Sequence, residues 1–98
     1  MLSEEFKNLS FLVYGLGITG KSVINFFNKN NIKSYKVWDD YDNLSYKTKR
    51  PSDLNKTLKK VNYIVISPGI SLLKSKNKKL KKYKNKLITD IDIIFLLT

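Results

Sequence analysis

Three glycines spaced Gly15-x-Gly17-x-x-Gly20 follow the apolar run Phe11-Leu12-Val13-Tyr14 and lead into a segment with helical periodicity. Strand, glycine turn and helix N-terminus in that order can hold a phosphate group. Gly15 permits a tight turn, Gly17 lets the backbone approach a diphosphate, and Gly20 lets the helix lie close to the strand. The amide N–H groups at Ile18 and Thr19 then face the anion where the helix dipole favours negative charge. A turn that holds no ligand has the same pattern, so the other loops must decide.

Two further loops carry suitable residues. Asp39 lies nineteen positions after Gly20, near the spacing at which a carboxylate ending a second strand reaches a ribose or base donor, and Asp40 follows it. Ser67-Pro68-Gly69 closes the apolar run Tyr63-Ile64-Val65-Ile66; the proline restricts the backbone and the glycine leaves room for a ligand. Lys21 could add charge near a phosphate, although a first-turn lysine is ordinarily solvated. No acid/base pair, nucleophile–base pair or Gly-Lys-Ser/Thr phosphate loop occurs in the 98 residues, so no catalytic residue is assigned and the domain is expected to bind rather than catalyse.

Composition narrows the chemistry. Cysteine and histidine are both absent, which removes disulfides, the usual zinc ligands and the commonest general base, and no metal site is expected. The net charge of +11 is local: residues 1–53 carry eight basic and six acidic groups, whereas eight lysines fall between Lys74 and Lys86. Arginine occurs once, at Arg50, and Tyr83 is the single ring in the lysine tract. Specific nucleic-acid readers depend on arginine forks and stacked rings, so the tract reads as a solvated face and no specific nucleic acid is expected. No signal peptide or membrane span is evident, which suggests a cytoplasmic chain without a membrane partner.

The elements that must position these loops follow from periodicity. Phe11–Tyr14 and Tyr35–Trp38 read as strands, with a helix from about Thr19 to Lys29 between them that places Val23, Ile24, Phe26 and Phe27 on one side. Tyr41 to Arg50 is polar and aperiodic. A helix starting at Pro51-Ser52-Asp53 carries Leu54, Leu58 and Val61; Tyr63–Ile66 is a third strand; Leu80, Tyr83 and Leu87 form the apolar edge of a lysine-coated helix; Leu87-Ile88 is a fourth strand. Thr89-x-x-Asp92 has the capping-box spacing of a last helix, whose apolar run Ile93–Leu97 suggests a fragment of a longer protein. Alternating strands and helices give an α/β class: a Rossmann-like half, a four-stranded parallel sheet flanked by helices, with residues 1–98 as one domain. In such a sheet ligands sit beyond the C-terminal strand ends, where the three loops meet.

Taken together, Val13-Tyr14-Gly15-Leu16-Gly17-Ile18-Thr19-Gly20-Lys21-Ser22, Val37-Trp38-Asp39-Asp40, Ile66-Ser67-Pro68-Gly69-Ile70 and Ile88-Thr89-Asp90-Ile91-Asp92 resemble the N-terminal domain of the Mur ligases of peptidoglycan synthesis, D-glutamate-adding type. The resemblance covers about residues 9 to 96. It implies that this domain holds the UDP part of UDP-N-acetylmuramoyl-L-alanine, while later domains bind ATP, Mg and D-glutamate. No cofactor is then expected within the chain itself. Ile18 and Thr19 match the diphosphate-holding positions, with Gly17 preceding them. Asp39 and Asp40 match the strand end that reads uracil, and Ser67, Pro68 and Gly69 match the loop lining the nucleotide pocket. Asp40 and Tyr41 stand where some members carry threonine and arginine. In the parent reaction ATP phosphorylates the substrate carboxylate and the D-glutamate amine attacks the acyl phosphate, steps with no counterpart residues here. An NAD-binding module of a dehydrogenase or regulator is the alternative, since the glycine turn and Asp39 fit that cofactor nearly as well.

Overall fold

The computed structural model describes residues 8–42, 44–68 and 74–97. Within them, strands β1 (Phe11–Tyr14), β2 (Tyr35–Trp38), β3 (Tyr63–Val65) and β4 (Leu87–Ile88) form one sheet in the order β2-β1-β3-β4, every pair parallel. The order reverses between β1 and β3, so the exits of those two strands flank the point where doubly wound sheets bind ligands. Helices α1 (Ile18–Lys29), α2 (Leu54–Lys60) and α3 (Asp90–Leu97) complete the expected α/β alternation.

Strand position explains strand composition. β1 is central and all four of its residues are buried, whereas β2 alternates, with Tyr35 and Val37 buried and Lys36 exposed. A strand covered on both faces needs a continuous apolar run; one at the sheet edge does not. On one face Phe11, Val13, Tyr35, Val37 and Val65 pack with Val23, Ile24 and Phe27 of α1 and Ile93 of α3. On the other, Leu12, Tyr14 and Ile64 pack with Leu58 of α2 and with Leu80. The Phe11 and Phe27 ring centroids lie 4.8 Å apart.

Helix ends follow local chemistry. The left-handed Asn31 (φ 58°) closes α1, while Ile32 N–H donates to Phe27 O at 2.9 Å and Asn31 N–H to Asn28 O at 3.3 Å. That is a Schellman ending with its apolar residue, Ile32, buried. Asp53 caps α2 by accepting from Lys56 N–H at 3.1 Å. Asp92 reaches back to accept from Thr89 N–H at 2.9 Å, one of the two bonds of the capping box expected at α3.

The lysine tract departs from the expected α-helix. Ser75–Lys86 is 3-10 helical and is broken at Tyr83, whose φ and ψ are −116° and 27°. Three-residue turns bring positions 80 and 83 into line, so Leu80 and Tyr83 reach the same apolar cluster. Crowded like charges give an α-helix no intrinsic advantage here. β3 also ends one residue early, at Val65, although Ile66 N–H still donates to Ile88 O at 2.8 Å. Among the described residues no helix is long and apolar enough to cross a membrane.

Candidate functional site

The glycine turn joins the exit of β1 to the start of α1. Gly15 has φ +103°, a conformation that side chains disfavour, and its N–H donates to Trp38 O at 2.6 Å, tying the turn to β2. At Gly20 a Cβ would collide with the Gly15 carbonyl, so the third glycine is required by packing between helix and turn. Gly17 differs: nothing lies within 4 Å of where its Cβ would be. It is the N-cap of α1, no side chain caps the helix there, and the first turn holds no acidic residue. The opening amides at Ile18, Thr19 and Gly20 have no intrahelical acceptor available to them, and Ile18, 89% exposed, borders open space while Gly20 is buried. An anion would find both hydrogen-bond donors and the positive end of a dipole.

Asp39, at the exit of β2, is held by the protein itself. Its Oδ2 accepts from Leu16 N–H at 2.7 Å, and its Oδ1 accepts from Tyr41 N–H at 2.8 Å and Asp42 N–H at 3.0 Å. The carboxylate therefore clamps the glycine turn to the β2 exit, a positioning role that spacing alone does not reveal. Asp40 is more exposed. It accepts from Trp38 Nε1–H at 2.9 Å and from the Tyr14 hydroxyl at 3.3 Å, and the Lys79 ammonium stands 3.7 Å from its Oδ1. Burial pushes the Tyr14 hydroxyl above the ordinary phenol range.

Three cationic or aromatic neighbours escaped the sequence reading. The Arg50 guanidinium lies 3.8 Å from the Trp38 ring centroid and donates to Asp39 O at 3.2 Å, so the chain's one arginine braces the β2 exit. Lys79 belongs to the tract read as solvated, yet it reaches Asp40 and sits 5.5 Å from the Tyr14 ring centroid. Lys86 caps the carbonyl end of α2, donating to Leu58 O at 3.1 Å and Lys59 O at 2.6 Å. Lys81, Lys82 and Lys84 are exposed, as expected. Beyond the turn, Asp42 Oδ1 accepts from the N–H groups of Ser45 and Leu44, which hold its carboxyl below the usual range.

Gly17, Ile18, Thr19, Asp39, Asp40, Ser67 and Pro68 all lie at or just beyond the C-terminal ends of β1, β2 and β3, on one rim of the sheet. Ser67 is half-buried and Pro68 exposed, while Gly69 lies outside the described residues. The rim thus offers uncapped amides at one strand exit and an acidic pair at the next.

A family model described as Mur ligase MurD-like, N-terminal domain, matches residues 9–89. A UDP-N-acetylmuramoylalanine--D-glutamate ligase of Francisella philomiragia is 34% identical over 84 residues, which cover 86% of this chain and 18% of that protein. The ligase of the same description from Francisella tularensis subsp. tularensis is 37% identical over 90 residues, covering 91% of this chain and 19% of its own length. The chain therefore spans about a fifth of the curated relatives it matches.

Proposed function

The chain belongs to the Mur ligase MurD-like N-terminal domain family, and from that premise we propose that it is the UDP-binding domain of a longer UDP-N-acetylmuramoyl-L-alanine:D-glutamate ligase. The single observation that carries the reading is the uncapped start of α1 at Gly17, beside open space and on the rim it shares with the acidic pair. The diphosphate rests on the amides of Ile18 and Thr19. Asp40, the more exposed of the pair, accepts from the uracil N–H, and Asp39 positions the turn by holding Leu16. Ser67 and Pro68 line the side of the pocket nearest β3, with Gly69 next in the chain.

ATP, Mg and D-glutamate belong to parts of the parent enzyme outside these residues. There the substrate carboxylate takes the γ-phosphoryl group, ADP leaves, and the D-glutamate amine displaces phosphate to form the amide. This chain contributes substrate binding, no membrane contact and no specific nucleic-acid contact, and its place is the cytoplasm.

Chemical-shift titration of the 98-residue chain with UDP, UDP-N-acetylmuramoyl-L-alanine and NAD tests the proposal. Amides of residues 17–20 and 39–41 should shift at lower concentration with the uridine ligands. If NAD moves them first, the dinucleotide-binding alternative replaces the ligase reading.

A further inference from the structure

A second groove of about 500 Å³ opens at the other end of the sheet, between the edge strand β2 and α2. It falls in the size range of small-ligand sites. Its wall brings together four lysines from separate segments: Lys33 before β2, Lys36 on it, Lys49 in the loop that follows, and Lys60 at the end of α2. Among the described residues no carboxylate lines it, and its lining includes the apolar Phe11, Tyr35 and Val61. These lysines lie outside the 74–86 tract, so the groove does not follow from that tract's charge.

Two features prepare the groove for an anion. Lys49 is held in place, its ammonium donating to Lys33 O at 3.0 Å and sitting 4.4 Å from the Tyr35 ring centroid, with further protons left to donate. The carbonyl end of α2, which would repel an anion, is covered where Lys86 bonds to Leu58 O and Lys59 O. Four lysines lining one groove, with no carboxylate among its described lining residues, form a low-energy place for several negative charges held close together.

We propose that this groove is a second anion site, separate from the glycine turn, and that its ligand is a small molecule carrying a pyrophosphate group. The glycine turn lies at the exit of β1 and Phe11 at its start, so the two sites occupy opposite ends of that strand. The proposal does not depend on the ligase reading.

The test is amide chemical-shift titration of the 98-residue chain carrying Gly17→Val, which obstructs the glycine turn, with inorganic pyrophosphate at fixed ionic strength. Saturable shifts at residues 33–36, 49 and 57–61 are expected. Lys36→Gln or Lys60→Gln, both at exposed positions, should each weaken binding about two- to fivefold, the span of exposed charge pairs. Lys82→Gln, outside the groove, should change nothing, and an unchanged amide spectrum before titration verifies that each variant is folded. ADP provides the second arm. Tighter binding of ADP than of pyrophosphate, with added shifts at Tyr35, assigns an organic pyrophosphate; equal affinity assigns the inorganic ion. Non-saturating shifts spread equally over Lys81, Lys82 and Lys84 would reduce the groove to diffuse charge attraction and overturn the proposal, as would shifts confined to residues 17–20.

Discussion

The Asp39 carboxylate accepts from the Leu16 amide at 2.7 Å across twenty-three positions of sequence, joining the exit of β2 to the middle of the glycine turn. Leu16 is buried, so its N–H has little access to water when that acceptor is removed. Asp39→Ala should therefore destabilise the domain by about 1–3 kcal/mol, the cost of an unsatisfied buried donor. Urea denaturation measures this. An unchanged midpoint would mean that the clamp contributes nothing and that Asp39 is free to serve a ligand alone.

The three glycines of the turn should separate by phenotype. Gly20→Ala drives a methyl group into the Gly15 carbonyl and should cost about 1–3 kcal/mol of stability. Gly17→Val places its side chain in open space and should leave the fold within about 1 kcal/mol of the parent, yet remove nucleotide binding. Thermal unfolding and UDP titration of the two variants check the pair. Retained UDP binding in Gly17→Val would exclude the diphosphate from the start of α1.

Lys86 is a member of the lysine tract with a structural duty. Replacing it by methionine keeps the aliphatic stem but removes the donor to Leu58 O and Lys59 O, and should cost about 0.5–1.5 kcal/mol. Lys82→Met, at an exposed position, should cost nothing measurable. Equal effects in denaturant titrations would argue against the cap.

Alkaline pH should reveal Tyr14. Burial raises its hydroxyl above the ordinary value of 10.0, so as pH climbs past that value the unfolded chain releases the proton while the folded chain retains it. The unfolded state then binds fewer protons, and the contribution to stability falls with rising pH. Stability measured from pH 8 to 11 should decline less steeply in Tyr14→Phe than in the parent. Parallel curves would remove Tyr14 from the linkage.

Local sequence was sufficient wherever the determining interactions were local or repeated. The continuous apolar run of β1, the alternation in β2, the Asp53 cap, the Thr89–Asp92 capping box and the glycine spacing each act over a few residues, so strand order along the chain and the glycine turn were legible. The same reading identified the acidic pair as a strand end. It could not show that Asp39 faces the Leu16 amide, that Arg50 stacks on Trp38, or that Lys79 reaches Asp40. Those partners are brought together by sheet order and by the path of the chain across its faces, and side-chain direction has no one-dimensional signature when the contact spans a crossover. The 3-10 form of Ser75–Lys86 has the same origin: spacing permits either helix, and the apolar cluster beneath Leu80 and Tyr83 selects the one that seats both side chains. Tertiary structure likewise decided that Lys33, Lys36, Lys49 and Lys60, scattered through the sequence, share one groove.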